Sequence, residues 1–389
     1  MRFFSALLIS FAVVAGPAWG QAGGVLTLEA ALQKAERQNL DLVAARARQA
    51  IAQAGIRIAG ERPNPTLTFG ALRDTPHEFV TVDQPLEIGP KRGRRIELAR
   101  QESVLTDVEI RTLERQVRRN VREAFFALAL ARGISGQKAE ALKLAERLHG
   151  IAKQRFDAGD VAELEVVQAD LEVSRADAEY QVARQEEKIA LNELDTLLNE
   201  PAATDWDLAG ALDALPPRMI LDDLVGRAIN SNYELQHLVQ ETKVEQSRES
   251  LLRAERIPNL GVQVGTDLNA PNDFRVGPRG QISIDLPIFM RNQGEIAQSS
   301  ATLRALDRET AATRRSVAGQ VGTAYFDLDA RLTEAEIFRK TLLPATERLE
   351  NMAEESYRAG KANILTVLSA QHDVQQVHGE YLNSLFNAQ

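Results

Sequence analysis

No cysteine occurs anywhere in the 389 residues. That excludes disulfides, thiol nucleophiles and cysteine-ligated metals, and it excludes a lipid anchor on an N-terminal cysteine. Aromatic side chains are scarce, at 5%, so there is little bulk to fill a thick globular core. No stretch approaches the ~20 consecutive apolar residues that a membrane-spanning helix requires. The 5 histidines are scattered. His77, His149 and His237 stand apart, and His372 and His378 fall on different faces of one helical stretch. They read as surface residues. No HExxH, phosphate-binding loop or paired nucleophile and base is present, so no metal site, no cofactor and no enzymatic activity is expected. The formal net charge of −9 argues against a nucleic-acid binder.

What the chain has in quantity is Ala, Leu, Glu, Arg and Gln. These are strong helix formers, and they favour thin, elongated helical packing. Residues 1–22 read as a secretory signal. Arg2 gives the positive start, Phe3 to Val14 a short apolar run, and Ala18-Trp19-Gly20 small residues around a cleavage point. The protein is therefore expected to be exported without a transmembrane helix. The same signal would also suit a soluble periplasmic or secreted protein.

The chain resembles itself. Leu28, Ala35, Asn39, Leu42 and Pro65 match Leu221, Ala228, Asn232, Leu235 and Pro258 at an offset of 193. Arg115, Val117, Val121, Ala124, Phe126 and Leu128 match Arg315, Val317, Val321, Ala324, Phe326 and Leu328 at 200. Phe156, Gly159, Leu164, Val173 and Tyr180 match Tyr357, Gly360, Leu365, Val374 and Tyr381 at 201. Two copies of one unit are therefore expected, 23–199 and 220–389, with a proline-containing linker or equatorial element at 200–219. Each copy reads as a helix (27–61; 220–256), two strands, a very long helix (93–156; 293–357), a glycine turn and a last helix (161–199; 363–389). The last helix of the second copy is the shorter one. Coiled-coil spacing runs along Leu303, Leu306, Thr310, Thr313, Val317, Val321, Ala324 and Leu328, and along Leu164, Val167, Leu171, Ser174, Ala178, Val182, Gln185 and Ile189. Such narrow seams of small residues bury little area, so lateral neighbours are implied. An ordinary coiled-coil structural or adaptor protein, soluble in the periplasm and without a channel, would share this spacing.

The strand segments separate the two readings. Leu67, Phe69 and Ala71 alternate with polar or small residues, as do Val80 and Val82, then Leu260, Val262 and Val264, then Ile282, Ile284 and Leu286. Period-two patterning with one apolar face fits a half-buried sheet, or a barrel wall with lipid outside and water inside. Four strands are too few to close a barrel, for which about eight is the minimum. Open strand edges are forbidden in lipid. A barrel would therefore have to be shared between chains, two chains giving eight strands and three giving twelve.

With the duplicated layout stand the segments "LTLEAALQKAERQNLDL", "LPIFMRNQGEIAQSS", "RFDAGDVAELEVVQADLEVSRADAEY" and "YRAGKANILTVLSAQHDVQQVHGEY". On these the chain resembles the TolC family of outer-membrane efflux proteins, and "QPLEIGPKRGRRIELA" is most similar to its cobalt–zinc–cadmium resistance branch. The resemblance implies a mainly α fold with a small β part, a long antiparallel α-helical coiled-coil barrel carrying a transmembrane β-barrel of twelve strands from three chains. It implies a homotrimer in the outer membrane with its helical tunnel in the periplasm. It implies a periplasmic membrane fusion (adaptor) protein and an inner-membrane pump of the resistance-nodulation-division type as partners, with heavy-metal cations or small toxic compounds as cargo.

Three sets of residues are candidates for function. The turns Ala158, Gly159, Asp160 and Ala359, Gly360, Lys361 would meet the adaptor, each glycine ending one helix in the left-handed conformation, with Asp160 and Asn363 capping the next. Glu163, Glu165, Thr366 and Ser369 follow those turns and are candidates for a periplasmic gate, where repeated carboxylates would favour cations. Lys91, Arg92, Arg94 and Arg95 lie where strand becomes helix and are candidates for contact with outer-membrane lipid headgroups. Plain hairpin chemistry, a solvated helix face and ordinary salt bridging are the structural readings of the three sets.

Overall fold

The computed structural model describes residues 25–73, 78–204, 206–209, 212, 215–269 and 277–389. The expected signal segment lies outside the described residues. The chain runs β1 (Val25–Thr27), α1 (Leu28–Gln38), α2 (Leu40–Ala59), β2 (Thr66–Ala71), β3 (Glu78–Leu86), α3 (Lys91–Asp157), α4 (Glu163–Leu198) and β4 (Asp207–Ala209). It continues with α5 (Leu221–Ser231), α6 (Tyr233–Ala254), β5 (Leu260–Asn269), β6 (Pro278–Ile284), α7 (Gln293–Ile337), α8 (Leu343–Arg358) and α9 (Ile364–Ala388). Among the described residues no helix is long and apolar enough to cross a membrane.

α3 has 67 residues and is about 100 Å long at the helical rise. α1, α2 and α4, with 11, 20 and 36 residues, together cover the same length. The place where these shorter helices meet is built by Asn39. The expected single helix over 27–61 breaks there, because an asparagine side chain competes with the backbone for helix-start hydrogen bonds. Its Oδ1 accepts from the Asp41 and Leu42 amides at 3.1 and 3.2 Å, starting α2. Its Nδ2 donates to the Leu197 carbonyl at 3.0 Å, one of the unpaired carbonyls at the end of α4. One buried side chain therefore starts one helix and closes another. The repeat partner Asn232 breaks the expected helix 220–256 in the same way, its Oδ1 accepting from Leu235 N at 2.9 Å.

The expected long helix 293–357 contains one irregularity. Phe338–Leu342 forms a π turn between α7 and α8. Pro344 follows at once. Its ring cannot donate and crowds the carbonyl of Lys340, and the wider π turn relieves that clash without ending the rod.

The described residues of the segment 200–219 pack as a clasp. β4 pairs in parallel with β1. Trp206 is buried and donates from Nε1 to Asp195 Oδ1 at 2.8 Å, while the Thr204 amide donates to Asp195 Oδ2 at 3.0 Å. Lys34 pairs with Glu200 at 2.5 Å and sits 4.7 Å from the Trp206 ring centre. The largest apolar cluster lies under this clasp. It joins Leu32 and Leu42, Val121, Phe125 and Leu128, and Leu194 and Leu198.

The α4 seam needs a correction. The residues facing α3 are Ala169, Ala176, Ala183 and Ala190, one per heptad and all buried. Leu164, Val167, Leu171, Val182 and Ile189 are exposed. The apolar spacing is there, but small residues win the contact with α3 because they let two long helices approach closely. The α7 seam is turned inward at Leu306 and Val317, whereas Ala324 is exposed.

Asn39→Ala removes two cap bonds and leaves the Leu197 carbonyl unpaired. It should cost about 2 kcal/mol, against about 1 kcal/mol for Asn232→Ala, which loses a single cap bond. Urea unfolding of the purified protein compares them; equal losses would show that the Leu197 bond contributes nothing.

Candidate functional site

The sheet has the order β2-β3-β5-β6, with every pair antiparallel. Its register sorts the side chains. Leu67 lies beside Val82, Val82 beside Val264, Val262 beside Ile282 and Leu260 beside Ile284. One face is therefore apolar, and most of it is exposed. The opposite face carries Thr68, Thr81, Asp83, Gln263, Asp267, Gln281 and Ser283. Asp267 is buried there in an ion pair with Arg279. Gly70 belongs to this polar face and has no room for a side chain, because the Phe79 ring lies over it where a Cβ would be. Among the described residues, β2 and β6 each have one edge without a strand partner.

At the foot of the sheet the basic cluster divides. Lys91 is buried and its Nζ donates to Asn259 Oδ1 at 2.5 Å. Arg92 Nε donates to the Gly60 carbonyl at 2.7 Å. Arg95 donates to the carbonyls of Ala59 and Glu61 at 2.8 and 3.0 Å, and grips Glu87 through both carboxylate oxygens at 2.6 and 3.1 Å. The end of α2 thus collects guanidinium donors, where helix carbonyls and the helix dipole favour them. The hydrogen bond from Arg95, with the charges of Arg95, Lys91 and Arg92, holds the Glu87 carboxyl below its usual range against the effect of burial. Arg94 is exposed, with no side-chain bond among the described residues. The equivalent bend of the second copy has a different character. Phe289 and Met290 are exposed there, and Arg291 folds back onto the carbonyls of Pro287 and Ile288 at 3.1 Å each.

The far ends of the helices are two hairpin tips. Gly159 and Gly360 take φ of 81° and 71°, a conformation that costs an L side chain about 1–2 kcal/mol. Asp160 N donates to Arg155 O at 2.8 Å, and Lys361 N to Ser356 O at 2.9 Å, closing both helix ends in the same way. The next helices differ. Asn363 caps α9, accepting from Thr366 N at 3.0 Å and Thr366 Oγ1 at 2.9 Å. Asp160 does not cap α4. That helix begins after Ala162, the repeat partner of Asn363, without a side-chain cap.

The two tips are packed together. Leu144, Leu148, Ala152 and Ala169 of the first hairpin form one apolar cluster with Ala353, Tyr357, Ile364 and Val367 of the second. Tyr357 is fully buried. Its hydroxyl donates to Glu165 Oε2 at 3.3 Å, its carbonyl accepts from Arg155 Nη1 at 3.2 Å, and the Arg155 guanidinium carbon lies 4.9 Å from its ring centre. Burial, reinforced by the Glu165 carboxylate, pushes the phenol above its ordinary range. Of the four gate candidates, Glu165 alone enters this link; Glu163, Thr366 and Ser369 are exposed. Tyr357 and Arg155 were not among the sequence candidates. The signal was available, since Tyr357 aligns with Phe156 in the repeat and only the second copy carries a hydroxyl.

Among the described residues no three histidine or carboxylate side chains converge as a metal site would require. A family model described as outer membrane efflux protein matches residues 31–200 and 224–386. The cobalt-zinc-cadmium resistance protein CzcC of Cupriavidus metallidurans is 29% identical over 372 residues, covering 94% of this chain and 88% of that protein. Among solved structures, CusC superposes with a TM-score of 0.67 at 15% identity over 92% of this chain and 88% of its own. The outer membrane protein VceC of Vibrio cholerae gives 0.68 at 15% over 93% of each chain. The Campylobacter jejuni CmeC outer membrane channel gives 0.68 at 14% over 93% of this chain and 83% of its own. The two matched ranges cover most of the chain, and the chain belongs to the outer membrane efflux protein family.

Proposed function

We propose that three copies of this outer-membrane efflux protein form one duct, each supplying four strands to a shared twelve-stranded barrel and its helices to a periplasmic tunnel. The observation that carries this reading is the four-stranded sheet with one apolar face, one polar face and two unpartnered edges, held at one end of a helical rod about 100 Å long. In lipid those edges have to be paired, and neighbouring copies pair them. Members of this family in general work as trimers with a periplasmic adaptor and an inner-membrane pump. For this chain the pump is of the resistance-nodulation-division type. The likeness to CzcC supports heavy-metal cations as cargo. Loss of cobalt, zinc or cadmium tolerance on deletion, restored by the intact chain, tests the cargo; unchanged tolerance to all three rejects it.

The tips carry the adaptor contact and the gate. Ala158, Gly159, Asp160 and Ala359, Gly360, Lys361 form the two turns that an adaptor hairpin would meet. Behind them, the Tyr357–Glu165 bond ties the two hairpins of one subunit across the pore end. Opening the end requires the hairpins to part, so this bond acts as a latch. Tyr357→Phe should raise single-channel conductance in planar bilayers several-fold while the trimer band persists on gels; unchanged conductance sinks the latch. The pH sign follows from the phenol. It donates only while protonated, and its acidity is weakened in the fold. The latch therefore holds below the ordinary tyrosine value of 10.0 and fails as pH rises through the elevated one.

At the foot of the barrel, the lipid-headgroup role falls to Arg94, because Lys91, Arg92 and Arg95 are engaged inside the chain. Arg95→Gln should lower stability by about 1–3 kcal/mol, as loss of hydrogen bonds to a charged group does. Arg94→Gln should leave the unfolding curve in place but reduce the phosphatidylglycerol retained by detergent-purified protein. Equal retention in wild type and Arg94→Gln would assign the cluster to bracing alone.

A further inference from the structure

Phe79 is out of place by its chemistry. Alternation puts it on the polar face of the sheet, in line with Thr81 and Asp83, the face turned to water in the duct reading. It lies near the end of the sheet farthest from the helices, where Gly70 of β2, Phe79 of β3 and Asp267 of β5 are direct neighbours. Arg279 of β6 stands in the next row, beside Gly265. A bulge interrupts the β3–β5 register at this level, leaving Leu268 between the pairs Glu78–Asn269 and Phe79–Asp267. Such bulges re-aim side chains at barrel rims.

The side chains join across all four strands. Arg279 reaches diagonally to pair with Asp267, and its guanidinium carbon lies 5.9 Å from the centre of the Phe79 ring. The ring in turn covers Gly70, where a Cβ would strike it. Asp267 is 4% exposed, whereas the Arg279 side chain is 52% exposed, so the guanidinium lies over the carboxylate on the water side. Stapling β5 to β6 would account for the ion pair. It does not account for an aromatic ring laid across the water-facing side, over a glycine that leaves room for it.

We propose that this belt of side chains, repeated in three copies, is a ring-shaped constriction at the outer mouth of the barrel, in which Phe79 sets the width and Asp267 cancels the charge of Arg279. This rests on the duct reading above and adds a narrowing at the end opposite the tips, together with the way that mouth treats charge. Gly70 gives the ring its seat and Arg279 gives it its cover. Three uncompensated guanidiniums in the wall of a narrow mouth would oppose a departing cation, because low-dielectric walls focus their field and salt screens it only over ~8 Å. With an Asp267 beneath each guanidinium the ring is neutral, and metal cations meet no electrostatic barrier there.

The chain has no cysteine, so Gln281→Cys, on the same face one row further in, places a single thiol behind the ring as seen from outside. Intact cells producing the full chain are treated with two small methanethiosulfonates, one bearing a sulfonate and one a trimethylammonium. The ratio of their labelling rates is read on the trimer band. Asp267→Asn should raise the sulfonate-to-ammonium ratio about fivefold and Arg279→Gln should lower it about fivefold, as three unit charges within a Debye length of the thiol would. The double variant Asp267→Asn, Arg279→Gln should return to the starting ratio. Phe79→Ala should admit a bulky maleimide at least about tenfold faster, the general effect of widening a pore. If Asp267→Asn does not assemble, Arg279→Gln carries the charge test alone. Ratios that stay within about twofold in every assembled charge variant, or a bulky maleimide that reacts as fast with Phe79 in place, overturn the ring and leave the duct reading intact. A cysteine at 281 that no water-borne reagent reaches in any variant, Phe79→Ala included, overturns both.

Discussion

A hydrogen-bonding backbone cannot end in lipid, and much of this molecule follows from that constraint. The four-stranded sheet has an apolar face suited to hydrocarbon and a polar face suited to water, yet among the described residues β2 and β6 each leave a row of amides and carbonyls without a strand partner. In an outer-membrane protein such a sheet is a fragment of a wall. The helices run away from the sheet as a rod that also leaves large apolar side chains exposed, Leu164, Leu171, Phe326 and Met352 among them.

Local chemistry holds the rod together where helices end. Asn39 starts α2 and finishes α4 with one side chain. Arg92 and Arg95 take up the carbonyls at the end of α2 and, through Glu87, bind that end to the foot of the sheet. Asp195 holds the equatorial clasp through Trp206 and Thr204. Asn39 and Asp195 are buried and Arg95 is half-buried, each with its partners in place. Such groups fix geometry closely, because leaving any of them unpaired costs more than the bond itself contributes. A core this poor in aromatic bulk needs those polar fixings to set which helix meets which.

The two repeats differ at both ends of the helical rod. The Arg95–Glu87 bend of the first copy corresponds to the exposed Phe289–Met290 bend of the second. Phe156 of the first tip corresponds to the buried, hydroxyl-bearing Tyr357 of the second.

The residues alone determined the duplication, the helix-strand-strand-helix order of each copy, the alternation that gives the sheet its two faces and the glycine-centred tips, because period, proline and glycine act locally and leave local marks. The helix breaks at Asn39 and Asn232 were also written there, since asparagine at a helix start is a local preference, although the flanking apolar rhythm runs straight through both. Three matters waited for the tertiary structure. Which of two stripes on α4 meets α3 depends on how closely two long rods can approach, and alanine prevails over leucine there for steric reasons that periodicity does not carry. Which of four basic residues remains free at Lys91–Arg95 depends on carbonyls and carboxylates brought from α2, β3 and the start of β5. The bond from Tyr357 to Glu165 joins residues 192 positions apart, and no local signal connects them until the two hairpins fold side by side.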